Sequence, residues 1–98
     1  MSFTIQIEPE AFQDIQEGIK WYNQQQFGLG KKFHSEVKAY FNSLKTNPFF
    51  QVRYKNVRCI PLKIFPFMIH FTVDKSEKQV INRAIYNTYD KPGKWEKR

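Results

Sequence analysis

The sequence has one cysteine, few glycines and no long apolar run. Because Cys59 is the only cysteine, an intrachain disulfide is impossible, as is typical of proteins from a reducing compartment. No apolar run approaches the roughly 18 residues that a membrane span needs. The first residues also lack the basic and apolar regions of a signal peptide. We therefore expect a cytoplasmic protein that has no membrane partner.

Metal ligands and cofactor motifs are equally scarce. The two histidines, His34 and His70, lie far apart, and together with a single cysteine they give no zinc-binding spacing. Gly28 and Gly30 read as a connection between helices and not as a phosphate-binding loop. We predict neither a metal site nor a cofactor.

The positive charge is confined to the second half of the chain. Residues 1–50 carry five lysines and five carboxylates, whereas residues 51–98 carry eleven Lys/Arg and four carboxylates. The whole net charge of +7 therefore lies in the second half. Charge of this size keeps many small domains soluble. Its confinement to one half favours an anionic partner, either a nucleic acid or an acidic protein.

Hydrophobic periodicity predicts a single α+β domain over residues 1–98. Alternation over residues 3–7 predicts an N-terminal strand. Two apolar stripes at helical spacing then predict an antiparallel two-helix hairpin, with Pro9 in the first turn and Pro48 after the second helix. The hairpin needs a surface against which it can bury these stripes, and the strands that follow provide it.

A three- to four-stranded antiparallel meander is predicted after the helices. Its strands are residues 51–54, which are optional, and residues 57–65, 67–73 and 80–86. Pro61 lacks an amide hydrogen, so we expect a sheet edge or a bulge at that residue. The N-terminal strand is expected to pair beside the last strand.

Three stretches carry a resemblance to a known family. Residues 12–22 form an amphipathic helix with acidic, aliphatic and aromatic positions. Phe65-Pro66-Phe67 joins two strands, and residues 84–88 are followed by Pro92 and Trp95. In order and spacing, these stretches resemble the RelE/ParE superfamily of bacterial toxins from type II toxin–antitoxin modules. The closing pair Pro92 and Trp95 favours the ParE-like branch, although Asn87 stands where many ParE-like sequences have His.

The resemblance implies a growth-inhibiting toxin associated with plasmid stabilization. For the ParE-like branch it implies DNA gyrase as the target and a cognate acidic antitoxin as the neutralising partner. The alternative is a RelE-like, metal-independent mRNA endoribonuclease that arrests translation and acts either with the ribosome or on free mRNA. A second alternative is a non-toxic RNA- or protein-binding domain on the same fold. A homodimer and a toxin–antitoxin hetero-oligomer both fit the resemblance.

If the chain is a ribonuclease, the candidate catalytic residues are Arg58, Arg83 and Tyr86. Cleavage through the 2′-hydroxyl needs cations for the developing phosphorane charge, and a group that transfers protons. The arginines supply the cations and the tyrosine supplies the hydroxyl. Arg58 shares the phase of Ile60, which is equally consistent with a structural role. The alternation around Arg83 does not say which way it faces.

A wider set of residues is predicted to contact the target or a nucleic acid. Its members are basic, aromatic or polar residues on the strands and in the basic tail: Arg53, Lys55, His70, Asn87, Tyr89, Lys94 and Arg98. His70 is out of phase with its apolar neighbours, so we expect it to point away from the helices. A lone histidine on such a face is typically solvated.

Overall fold

A computed structural model describes residues 2–88 of the chain. The elements follow the order β1 (Thr4–Ile7), α1 (Pro9–Gln25), α2 (Leu29–Thr46), β2 (Val52–Tyr54), β3 (Val57–Pro61), β4 (Phe67–Asp74) and β5 (Gln79–Asn87). The five strands form one sheet in the order β1-β5-β4-β3-β2. Strands β2 to β5 pair antiparallel, and β1 pairs parallel with β5. The predicted α+β class is confirmed, as is the place of the first strand beside the last.

The two helices approach each other closely. Gly28 has a φ of 83°, a left-handed conformation that glycine adopts without steric cost and that lets the chain reverse between α1 and α2. A Cβ on Gly30 would lie only 2.4 Å from the carbonyl oxygen of Ile19. The Gly30 amide donates to Oδ1 of Asn23 at 2.9 Å. Within residues 2–88 neither helix is long and apolar enough to span a bilayer.

The helix hairpin covers one face of the sheet, and the core lies between the two layers. Phe33 of α2 is at the centre of this core and is fully buried. Its ring lies 5.4 Å from the ring of Tyr22, 5.5 Å from Phe65 and 5.0 Å from Phe67, measured between centroids. Gly18 makes room for Phe33, because a Cβ there would lie 2.5 Å from its ring. The aromatic residues thus join α1, α2 and the sheet.

The predicted strand over residues 57–65 is too long, because β3 ends at Pro61. The buried carboxylate of Glu36 explains the early end: it accepts hydrogen bonds from the amides of Ile64, at 2.8 Å, and Phe65, at 3.1 Å. Because these two amides donate to Glu36, they cannot also pair with a neighbouring strand. The edge predicted at Pro61 is confirmed, since β2 pairs with β3 only through Val57 and Arg58.

Strand β5 contains a bulge at Arg83. His70 pairs with Ala84 and Phe71 pairs with Asn82, so Arg83 has no partner on β4. The extra residue reverses the alternation along β5. This is why the sequence alternation did not indicate which way Arg83 faces.

A side chain of α1 occupies the free edge of β5 where β1 no longer covers it. The pairing of β1 with β5 ends at Ile7 and Asn82. Beyond that point the amide of Ile85 donates to Oδ2 of Asp14 at 3.0 Å. The edge amide is therefore satisfied by a carboxylate and not by a neighbouring strand.

Replacing Glu36 with glutamine is expected to lower the free energy of unfolding by about 2 kcal/mol. The variant replaces one carboxylate oxygen, which accepts a hydrogen bond from a backbone amide, with an NH2 group that can only donate. A hydrogen bond to a charged group is worth about 1.5–3 kcal/mol. Urea denaturation measures the loss. Glu17→Gln is the matched control, because Glu17 is exposed and accepts only from Gln13 in the described part of the chain. Equal midpoints for the two variants would contradict the role of Glu36.

Candidate functional site

The sheet face that the helices leave uncovered, here called the outer face, carries a cavity of about 370 Å³. Its lining comes from the β1–α1 junction, the β2–β3 turn and strands β4 and β5. The polar and aromatic side chains that line it are Glu8, Glu10, Tyr54, Lys55, Asn56, Thr72, Arg83 and Tyr86. Two of the three predicted catalytic residues, Arg83 and Tyr86, thus share this outer-face cavity. Lys55, which was predicted to bind the target, lies there as well.

The β5 bulge positions the guanidinium of Arg83 in the outer-face cavity. Its Nε donates to Oγ1 of Thr72 at 3.1 Å, and its Nη1 forms an ion pair with Oε1 of Glu8. The two paired side chains are 45% and 38% exposed. Such an exposed ion pair is worth less than about 1 kcal/mol. An anion that enters the cavity can therefore compete with Glu8 for Arg83.

His70 lies beneath the cavity. The expectation that it points away from the helices is confirmed, but the expectation of a solvated side chain is wrong, because His70 is fully buried. Its Nδ1 lies 2.9 Å from the Tyr54 hydroxyl and 3.5 Å from Cys59 Sγ. The Tyr86 ring covers it edge-on at 5.1 Å. The two tyrosines, in addition to the strands, keep it from water.

The buried histidine is neutral at physiological pH. Desolvation, followed by the nearby charge of Arg53, lowers the pKa of His70 to about 4, against a smaller opposing effect of Asp14. Burial likewise raises the pKa of the Cys59 thiol to about 11. A neutral imidazole beside a protonated thiol is a poor acid and offers no activated nucleophile. The imidazole and the thiol are therefore both uncharged at pH 7, and the imidazole lies within hydrogen-bond distance of the Tyr54 hydroxyl.

Arg58 lies away from the outer-face cavity. It stands opposite Phe71, a core residue, so it belongs to the helix-facing side of the sheet. Its Nη1 donates to the carbonyl oxygen of Phe50 at 2.6 Å, and its guanidinium lies 5.6 Å from the Phe49 ring centroid. The structure therefore brings Arg83 and Tyr86 together and places Arg58 on the other face.

Of the remaining predicted contact residues, two lie on the strands β2 and β5 and the others lie outside the described residues. Arg53 is exposed on β2 and acts electrostatically on His70. Asn87 ends β5 opposite Phe67 and is half-buried. Three predicted contact residues, Tyr89, Lys94 and Arg98, lie outside the described residues, as does the motif of Pro92 and Trp95.

Among the residues that line the cavity, the sequence analysis did not single out Glu8, Tyr54 or Thr72. Glu8 reaches Arg83 because β1 pairs with β5, and no local pattern shows that register. Tyr54 carries a weak signal, since it ends the optional strand predicted over residues 51–54. Thr72 falls on the same face as His70, and that phase was visible in the alternation.

A second concave surface, here called the α2 groove, lies between α2 and the β3–β4 loop. It is an open, mostly apolar groove of about 870 Å³, with Leu29, Tyr40, Ile64 and Phe65 in its lining. Ile64 is 75% exposed. The lysines that line the groove are Lys31, Lys32 and Lys63.

Comparison with known proteins identifies the fold. No protein-family profile and no curated protein matches the sequence. A chain of the chromosomal ParDE toxin–antitoxin system from P. aeruginosa is similar with a TM-score of 0.78 at 15% identity, covering 88% of this chain and 96% of that one. A chain of the intact E. coli RelBE toxin–antitoxin complex gives 0.70 at 11% identity, covering 91% and 100%. The isolated E. coli RelE toxin gives 0.68 at 10% identity, covering 98% and 95%.

These similarities cover nearly the whole of each chain, and they include the helix hairpin and the sheet. The resemblance inferred from the sequence is thus confirmed at the level of the fold. The chain has the RelE/ParE toxin fold.

Proposed function

We propose that this protein is the toxin of a bacterial toxin–antitoxin module, that it inhibits growth in the cytoplasm by acting on DNA gyrase, and that an acidic antitoxin neutralises it. The observation that carries the proposal is the similarity to a ParDE chain over 88% of this chain. The net charge of +7 suits an acidic partner.

The α2 groove supports an antitoxin partner. Exposed apolar grooves of this kind accept the apolar face of an amphipathic segment. The three lysines in its lining suit carboxylates on the polar face of the same segment. A partly disordered acidic chain that folds on binding meets both demands. We therefore place the antitoxin contact on this groove.

The chemistry of the outer-face cavity favours gyrase inhibition over RNA cleavage. His70 is neutral and buried, and Arg58 lies on the opposite face of the sheet. Within residues 2–88 the cavity therefore combines one arginine and one lysine with no imidazole that titrates near pH 7.

Expression of the chain in a bacterium is expected to stop growth, and the purified protein is expected to inhibit supercoiling by gyrase. DNA, RNA and protein synthesis are measured separately after induction, and DNA synthesis should fall first. A chain that neither slows growth nor inhibits supercoiling at physiological salt would overturn the proposal.

Charge reversal in the α2 groove is expected to separate toxicity from neutralisation. The double variant Lys31→Glu/Lys63→Glu should still arrest growth, but it should lose rescue by the proposed acidic antitoxin. Lys20→Glu/Lys38→Glu changes the charge equally on exposed helix positions outside the groove lining. Rescue of the groove variant, or loss of rescue in the control, would contradict the assignment of the groove.

The outer-face cavity also supports a second candidate, the metal-independent endoribonuclease. This candidate assigns to Glu8 the role of accepting a proton from a 2′-hydroxyl, to Arg83 that of binding the phosphorane, and to Tyr86 that of protonating the leaving 5′-oxygen; all three residues line the cavity. This candidate predicts cleaved transcripts after induction, with cleavage abolished by Arg83→Ala or Tyr86→Phe. Arg58→Ala should retain cleavage, because Arg58 lies on the other face. Intact transcripts during growth arrest would exclude it, and salt-dependent binding without arrest would favour a non-toxic binding domain.

A further inference from the structure

The loop that joins β3 to β4, residues 62–66, is fixed at both of its ends. The amide of Leu62 donates to the carbonyl oxygen of Phe67 at 2.8 Å. The carbonyl oxygen of Pro66 accepts hydrogen bonds from the amide of Thr88 at 2.8 Å and from its hydroxyl at 3.2 Å. Pro66 also has a fixed φ, because its ring closes on its own nitrogen. The β3–β4 loop is therefore held in one position relative to the sheet.

Glu36 of α2 holds the middle of the β3–β4 loop, because its carboxylate accepts the amides of Ile64 and Phe65. Phe65 is buried in the core, whereas Ile64 beside it is 75% exposed. The loop thus presents a branched apolar side chain to solvent on a backbone that is bonded to α2. A partner that covers such a fixed side chain loses little free energy to the ordering of the loop.

The charge that surrounds Ile64 in the α2 groove is positive. The groove is lined by Lys31, Lys32 and Lys63, which are exposed and form no ion pair among residues 2–88. Glu36 is the one carboxylate among the described residues of the lining, but it is buried and both of its oxygens accept backbone amides. A partner that covers Ile64 therefore needs an apolar side that is flanked by carboxylates.

We propose that Ile64 is the apolar anchor of the α2 groove for an acidic amphipathic segment, and that Glu36 is the positioning residue that presents this anchor. The inference rests on the antitoxin contact proposed above, and it names the residues that determine the affinity of that contact. The residues of α2 that line the groove run from Leu29 to Tyr40. At a rise of about 1.5 Å per residue they span about 17 Å, which is the length of a partner helix of about 12 residues.

A labelled peptide of about 12 residues, with leucines at helical spacing and glutamates between them, tests the anchor. Fluorescence anisotropy measures its binding to the whole chain. Ile64→Ala should weaken binding about tenfold, because the truncation removes the anchor from the interface. The same variant should keep the wild-type urea midpoint, because Ile64 is largely exposed in the free protein.

Glu36→Gln separates the positioning role from a structural one, in a double-mutant cycle with Ile64→Ala. Alone, it should weaken peptide binding about fivefold, because a loop amide loses its acceptor and the anchor is no longer fixed. In the Ile64→Ala background it should weaken binding no further, because the anchor through which it acts is gone. Its effect on the urea midpoint should be equal in both backgrounds, because the loop amide loses its acceptor in each.

Phe27→Ala is the matched control, because it truncates a fully exposed apolar side chain outside the groove lining and should keep the wild-type affinity. Unchanged affinity in Ile64→Ala, or an equal loss in Phe27→Ala, would overturn the anchor. A further loss from Glu36→Gln in the Ile64→Ala background would overturn the positioning role. Absence of wild-type binding to the peptide would refute both. No readout here depends on growth arrest or gyrase, so failure of the toxin proposal remains distinguishable.

Discussion

Replacing Phe33 with alanine is expected to lower the free energy of unfolding by about 3–5 kcal/mol. The ring is fully buried and lies within 5.5 Å, between centroids, of three other aromatic rings. The cavity left behind cannot collapse easily, because both helices and the sheet meet around it. For a domain of this size, such a loss is a large share of the total free energy of unfolding. Chemical denaturation followed by far-ultraviolet circular dichroism measures it.

Phe27→Ala is the matched control for this experiment. It makes the same chemical change at a fully exposed position, so the free energy of unfolding should change by no more than about 0.5 kcal/mol. Gly18→Ala provides a coupling test, since its new Cβ would lie 2.5 Å from the Phe33 ring. It should destabilise the wild type and stabilise Phe33→Ala, where that ring is gone. Additive effects of the two changes would contradict the packing described here.

The stability of the fold is expected to fall by about 3 kcal/mol as the pH drops from 6.5 to 4, because of His70 alone. The unfolded histidine takes up a proton below pH 6.5, whereas burial lowers the pKa of the folded histidine to about 4. Between these values the unfolded state binds more protons, so stability rises with pH. About 1.5 kcal/mol of this loss falls between pH 6.5 and pH 5. The urea midpoint measured over that window isolates the effect of His70, because ordinary carboxylates remain largely ionised there.

His70→Gln is expected to flatten the pH dependence over that window, whatever its effect on stability at pH 7. His34→Gln removes an imidazole that is exposed on α2 and is expected to keep the wild-type slope. A slope that survives in His70→Gln would show that another group carries the dependence.

The elements of this fold could be predicted from the sequence because their signals are local. The apolar stripes of α1 and α2, together with Pro9 and Pro48, indicate the two helices. The alternation in β4 indicates which residues meet those helices, and Pro61 marks a sheet edge. Each of these features depends on neighbours within a few residues along the chain, where periodicity carries information.

The features that the sequence analysis missed depend on contacts between distant residues. Glu36 ends β3 early by binding amides in a loop that is remote in sequence. The burial of His70 requires Tyr54 and Tyr86 to close over it. The facing of Arg83 depends on a bulge, which reverses the alternation that periodicity relies on. For the candidate site, Arg83, Tyr86 and Lys55 could therefore be predicted from the sequence. The contribution of Glu8 and the position of Arg58 on the opposite face of the sheet could not.

The carboxylate of Asp14 at the free edge of β5 also bears on self-association. Exposed strand edges act as templates for pairing with other chains, which leads to aggregation. Here one outer strand, β1, offers four residues and the other, β2, offers three. The continuation of β5 beyond β1 is blocked, because Asp14 already accepts the hydrogen of the Ile85 amide. Because the edge strands are short and one edge amide is already bonded, we expect that the concentrated protein does not form cross-β fibres readily, although its sheet is rich in β-branched and aromatic residues.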